Sequence, residues 1–126
     1  MKFFYIFFLS VSLYAQPSWL NNTNNLNQKF LYGIGVSNDI NPVSRRQVAI
    51  INARANLAEN IKVTIKSYFK IATKSNNSNF NKKTESIIEQ KANELLINSS
   101  VEDSFLDDNG ILYILIKINK LKISSF

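Results

Sequence analysis

The chain has 126 residues, with 15 Lys+Arg against 9 Asp+Glu, and it contains neither His nor Cys. Without those two residue types it has no disulfide, no thiol nucleophile, no imidazole general base and no zinc site of the usual kind. The length fits one domain with a modest core. Only carboxylates, lysines and hydroxyls remain for catalysis, and this small repertoire is one reason to expect a protein that is not an enzyme.

Residues 1–15 have the layout of a secretory signal peptide. Lys2 supplies the positive start, the apolar run extends from Phe3 to Leu13, and Ala15 marks the expected cleavage point. The run is shorter than the roughly 20 apolar residues that span a bilayer. We therefore expect a periplasmic protein, with association to the outer membrane as an option and with no transmembrane segment after cleavage.

The region after this leader starts with an Asn-rich segment, residues 16–29, that predicts a loop. Residues 30–36, with the sequence FLYGIGV, predict the first strand. Asn41-Pro42 predicts the start of a helix that runs to about Asn60, because Asn is favoured at the N-cap and Pro at the first helical position. The helical spacing of apolar residues agrees with this, at Ile50, Ala53, Leu57 and Ile61.

Residues 61–72 alternate between apolar and polar side chains, and this alternation predicts a strand with one buried face. The opposite face would carry basic and aromatic side chains, which are candidates for contact with an anionic ligand such as lipopolysaccharide: Lys62, Lys66, Tyr68 and Lys70. A solvated sheet face, or charges that protect a sheet edge, would explain the same pattern.

The last part of the chain predicts a helix followed by a hairpin. Residues 82–97 return to helical spacing after a polar loop, and residues 101–106 and 111–118 flank a turn that contains Asn109-Gly110. The second hairpin strand, ILYILIKI, is apolar on both alternations. We therefore expect it to be central or covered on both faces, by helices on one face and by a partner subunit on the other.

Together these elements predict an α+β fold in the order β-α-β-α-β-β. A small mixed or antiparallel sheet would pack against one or two helices, in a single domain over residues 30–118. Residues 119–126 are expected to be a C-terminal tail.

Two short motifs invite a cofactor or metal interpretation. Gly33 and Gly35 follow a strand and precede a helix, but Asn38 stands where a dinucleotide motif has its third glycine. A strand that bends, or one that another backbone approaches closely, explains these glycines better. Asp103, Asp107 and Asp108 lack the closing Glu of a calcium loop, and a turn accounts for their polarity. We expect no nucleotide cofactor and no metal.

Several segments together resemble a known family. They are Pro17-x-Trp19, residues 32–35 (YGIG), residues 53–58 (ARANLA), and Phe105 shortly before residues 107–110 (DDNG). This order is similar to that of the LPP-twenty lipoprotein family, the Helicobacter-type surface lipoprotein antigens, whose members include the flagellar disc protein FlgP. The resemblance spans roughly residues 17–118 and implies an α+β fold and an envelope role without catalytic residues. The chain lacks the family's lipidated Cys, and Phe105 stands where members often have Trp.

The sequence thus predicts an exported, non-enzymatic cell-envelope protein. Its partners would be other envelope proteins and further copies of itself, and its role would lie in flagellar or outer-membrane assembly. The alternative is a periplasmic protein that binds an anionic ligand through the Lys-rich strand face.

Overall fold

A computed structural model describes residues 16–23, 26–72 and 82–124, without the side chains of residues 69–72 and 124. The described elements, in chain order, are a 3-10 turn at Ser18–Leu20, strand β1 at Phe30–Ser37, helix α1 at Pro42–Ala72, helix α2 at Lys82–Leu96, strand β2 at Ser100–Leu106, strand β3 at Leu112–Asn119 and a last helical turn, α3, at Leu121–Ser124. They form the predicted α+β fold, in which an antiparallel sheet has the strand order β1-β3-β2.

Helix α1 starts where the sequence predicts. The Oδ1 atom of Asn41 accepts the backbone N–H groups of Val43 at 2.9 Å and Ser44 at 3.1 Å, so Asn41 is the N-cap and Pro42 takes the first helical position. The helix then continues for 31 residues. Neither Gly nor Pro occurs between Pro42 and Ala72, and so no residue type that breaks a helix interrupts it.

The strand predicted at residues 61–72 is wrong, because this segment is the second half of α1. Residues four apart lie on the same side of a strand and also of a helix, so the spacing of Ile61 and Ile65 fits both. The alternation placed Val63 on the buried face, whereas it is 65% exposed in α1. The observed order is therefore β-α-α-β-β. The two isoleucines extend the buried stripe of Ala49, Ala53 and Leu57.

The predicted hairpin is present, and its second strand, β3, is the central strand of the sheet. Gly110 adopts a φ of 83°, which an L side chain rarely adopts. The Oδ1 atom of Asp107 accepts the backbone N–H groups of Asn109 at 2.8 Å and Ile111 at 2.9 Å. The carboxylate of Asp107 thus stabilises the turn.

One face of the sheet packs directly against α1, and we call it the inner face. Its central strand contributes three fully buried side chains, Ile114, Ile116 and Ile118. On β1, a Cβ added to Gly33 would lie 2.6 Å from the carbonyl oxygen of Ala53, and one added to Gly35 would collide with the α1 backbone at Ala49 and Ala53. The two glycines therefore permit the close approach of helix and strand that the sequence analysis favoured over a cofactor site.

Helix α2 extends the same core away from the sheet. Ile88, Ala92 and Leu95 are buried and belong to one cluster with the residues of the inner face. Ile123, in the segment predicted as a tail, is fully buried in that cluster. The core thus continues beyond residue 118, the predicted end of the domain.

Candidate interaction surface

The face of the sheet turned away from α1, which we call the outer face, is rich in aromatic side chains. Side chains alternate between the two faces along each strand, so the pairing register assigns the outer-face residues. Apart from the buried Leu115, each of them is half-buried or exposed. Its apolar, aromatic and basic members are Phe30, Tyr32, Ile34, Val36, Phe105, Tyr113, Leu115 and Lys117.

The rings of the outer face form two pairs, and the two rings within each pair are neighbours. The centroids of Phe30 and Tyr32 lie 6.3 Å apart, and those of Phe105 and Tyr113 lie 6.2 Å apart. The Nζ atom of Lys117 lies 4.3 Å from the centroid of the Phe30 ring, a distance at which a cation is attracted to the ring face. This surface therefore combines apolar area with a positive charge.

A segment near the start of the described chain covers part of the outer face. We call residues 16–23 the strap. Trp19 is only 4% exposed, and its Nε1–H donates to Oδ2 of Asp103 at 3.0 Å. Asp103 is paired with Leu115 across the β2–β3 ladder, so the indole lies on the outer face. Trp19 and Leu115 are buried but lie outside the main core cluster.

The free edge of β1 is closed by three asparagines of α1. Nδ2 of Asn52 donates to the carbonyl of Val36 at 2.9 Å, and Nδ2 of Asn60 donates to the carbonyl of Tyr32 at 2.7 Å. Between them, Oδ1 of Asn56 accepts the backbone N–H of Ile34 at 2.9 Å. These bonds satisfy backbone groups through which an edge strand would otherwise pair with another strand.

The free edge of β2 lies in solvent. All of its residues except Phe105 are exposed. The Asp107 N–H donates to the carbonyl of Ile111 at 2.9 Å and so points toward β3; by alternation, the backbone groups of Ser104 and Leu106 point toward the free edge. The Ser104 N–H donates to Oδ1 of Asp103 at 2.8 Å. The carboxylate of Asp103 therefore bonds both this edge and the strap.

The Lys-rich surface predicted on a strand lies instead on α1, and Lys62 is part of an ion-pair cluster. Nζ of Lys62 lies 3.2 Å from Oε2 of Glu59 and 3.7 Å from Oε2 of Glu89, which is on α2. The hydrogen bond to Glu59, together with the charges of Glu59 and Glu89, raises the pKa of Lys62. Lys62 therefore links the two helices.

The other members of the predicted Lys-rich surface are distributed by helix geometry. Lys66 lies four residues after Lys62 and thus on the same side of α1, whereas Tyr68 lies six residues after it and on another side. The side chain of Lys70 is outside the described residues, as is the predicted cleavage residue Ala15. Lys62, Lys66 and Tyr68 therefore do not form one continuous face.

Sequence reasoning missed two features of this surface. The first, the row of asparagines on α1, could have been predicted, because a spacing of four places Asn52, Asn56 and Asn60 along one side of a helix. The second, the contact of Trp19 with Asp103, could not have been predicted, since the two residues are 84 positions apart and no local sequence pattern relates them.

Comparison with known proteins agrees with the resemblance seen in the sequence. Residues 17–119 match the sequence profile of the LPP20 lipoprotein family. The matched range begins two residues before Trp19 and ends at the last residue of β3, so it contains all but the first residue of the strap and the whole sheet. No curated protein matches the chain. In the part of the chain that the structure describes, none of the helices has the length and apolar character needed to cross a membrane.

Proposed function

The chain belongs to the LPP20 lipoprotein family, and from this premise we propose that it is an exported, non-enzymatic protein of the cell envelope that acts by contact with other proteins. Its partners are envelope proteins and further copies of the chain, and its role lies in the assembly of flagellar or outer-membrane structures. The 126 residues contain no Cys, so the proposed contacts do not involve a lipidated cysteine within them.

The observation that carries the proposal is the partly exposed aromatic outer face. Aromatic residues are enriched in the centres of protein interfaces because they bury a large area at a small cost in conformational entropy. Phe30 and Tyr32 lie toward one end of this face and Phe105 and Tyr113 toward the other, and all four side chains are half-buried. The Nζ atom of Lys117 lies 2.8 Å from Oε1 of Glu102, and this charged pair lies beside Phe30.

The alternative of anionic-ligand binding through the Lys-rich surface has less support. Lys62 already faces two carboxylates, those of Glu59 and Glu89. A phosphate at that position would be repelled by both of them.

The proposal is tested by a matched pair of charge insertions. Val36 is 40% exposed on the outer face, and Val63 is 65% exposed on α1. In Val36→Lys, an interface on the outer face would have to bury an unpaired ammonium group, so we expect self-association and retention of envelope proteins to weaken by about tenfold or more. Val63→Lys, which introduces the same charge elsewhere, should leave both unchanged.

Sedimentation of the purified protein and cross-linking in envelope fractions provide the measurements. A wild-type protein that stays monomeric and is cross-linked to no envelope protein would contradict the proposed function. The flagellar role has its own test, because a deletion strain with normal motility and an intact envelope would exclude it.

A further inference from the structure

We infer that the strap of one copy docks on the outer face of a second copy, with Trp19 of the first bonded to Asp103 of the second. This inference rests on the proposed function, because it names the contact through which two copies associate. The chemistry of the site defines its occupant, because the site buries an indole ring and presents a carboxylate to its N–H, at 3.0 Å in the closed chain.

The location of the docking site makes it reachable from outside the molecule. Asp103 lies on β2, whose free edge is exposed, whereas the strap leads into β1, on the opposite side of the sheet. The strap of the same chain must therefore cross β3 to reach Asp103. A strap from a neighbouring copy could approach directly across the free edge of β2, whose described residues are exposed except for Phe105, whereas Asn52, Asn56 and Asn60 close the edge of β1.

The connection between Trp19 and the sheet is long enough for Trp19 to reach Asp103 of its own chain or of a second copy. Residues 20–29 separate Trp19 from β1, and ten residues reach about 30 Å when extended. The sheet itself is only about 10 Å wide from β1 to β2, at about 4.8 Å per strand spacing. The strap also carries no charged residue, so its approach to a second basic molecule meets little electrostatic repulsion.

Exchange between copies preserves the contacts of the closed chain. The same hydrogen bond and the same burial of Trp19 form in both arrangements, so the two differ mainly in the conformation of the connecting residues and in protein concentration. Association through the strap would add whatever contacts form between the free edges and the outer faces. Self-association therefore requires no binding site beyond the one that the structure already contains.

Two complementary variants test the exchange. Trp19→Ala removes the indole but keeps the site, and it is free of Trp because Trp19 is the only Trp in the chain. Asp103→Lys keeps Trp19 but replaces the acceptor with a cation. Each variant alone lacks one half of the contact. In a mixture, Trp19 of the Asp103→Lys chain has an intact site on the Trp19→Ala chain.

We expect mixing to shift the Trp19 emission to shorter wavelength and to produce a two-chain species in sedimentation. Association in the mixture should be at least about tenfold tighter than in either variant alone, as expected for a recovered hydrogen bond to a charged group. A spectrum of the mixture that equals the sum of the separate spectra would overturn the exchange. Should circular dichroism show that Asp103→Lys is unfolded, Asp103→Ala takes its place.

The outcomes separate this inference from the proposed function. A wild-type protein that is cross-linked to envelope proteins and is sensitive to Val36→Lys, but whose variants show no recovery on mixing, would contradict strap exchange alone. A wild-type protein that neither self-associates nor contacts envelope proteins would contradict both.

Discussion

The free edges of β1 and β2, the two edge strands of the sheet, differ in how their backbone groups are bonded. β1 is flanked by α1, whose asparagines bond its free backbone groups, and its glycines admit the helix backbone at close range. β2 is exposed, and the carboxylate of Asp103 accepts one of its outward N–H groups, that of Ser104. Edge strands that are left open are the usual route to strand pairing between molecules. Under the proposed function, this difference would separate the residues that stabilise the fold, on the β1 side, from those that mediate association, on the β2 side.

If this division is correct, substitutions on the β1 side should mainly lower the free energy of unfolding. Substitutions on the β2 side should mainly change the strap and self-association. The following predictions examine this division, beginning with the largest expected effect.

Gly35→Ala should be the most damaging change on the β1 side. A Cβ at this position would collide with backbone atoms of Ala49 and Ala53, and backbone cannot move aside as a flexible side chain can. We expect the free energy of unfolding in urea to fall by about 3 kcal/mol or more. Gly110→Ala is the control: it has open space but a φ of 83°, so it should cost only about 1 kcal/mol. Equal losses in the two variants would contradict the close approach of α1.

Asn60→Ala should remove one bond from the closed β1 edge. Its Nδ2 bonds the Tyr32 carbonyl at 2.7 Å, and loss of such a bond lowers stability by about 1 kcal/mol. Alanine also has a higher helix propensity than asparagine. Asn93→Ala is therefore the control, because it makes the same substitution at an exposed position of α2. Urea unfolding should show Asn60→Ala as the less stable of the pair; the reverse order would argue against edge closure by asparagine.

Asp103→Asn examines the β2 side. An amide oxygen in place of the carboxylate weakens the bond from the Trp19 indole, because the acceptor is no longer charged. We expect acrylamide to quench Trp19 more readily, while the free energy of unfolding changes by less than about 1 kcal/mol. Unchanged quenching together with a large loss of stability would place this contact in the folding core and contradict the division between the two sides.

The ion-pair cluster on α1 gives a pH prediction that involves neither edge. The partners of Lys62 raise its pKa in the folded protein above the ordinary value of 10.5. The resulting stabilisation is fully present below pH 10.5 and is lost as pH rises through the higher folded pKa. Urea titrations should therefore show the stability advantage of wild type over Lys62→Met decreasing above that pH. An advantage that stays constant would assign the effect to packing of the Lys stem.

Local signals predicted most of the fold. The N-cap at Asn41, the Asn-Gly turn and the doubly apolar β3 each depend on residues that are close in sequence, and each is confirmed. The second half of α1 was predicted as a strand because a spacing of four satisfies both periods. Its helical state is decided by the buried stripe that it shares with α2, which is tertiary information.

The candidate surface was less predictable than the fold. The apolar sequence of β3 led us to expect that both of its faces are covered, but the residues of the outer face depend on a register that three strands fix together. The Trp19–Asp103 bond joins segments that only the folded chain brings together. The basic residues 62, 66 and 70 were assigned to one strand face, and their helical placement changed which neighbours they have.

The continuity of α1 has a consequence for how the protein loses its structure. Its first half packs on β1 and β3, its second half packs on α2, and all of these contacts belong to one buried cluster. Undocking α2 would expose Ile61 and Ile65 on the same helix that holds the sheet. No part of the main core can therefore melt separately, and we expect one cooperative transition in which helix and sheet signals coincide. The strap, outside that cluster, would open in an earlier step.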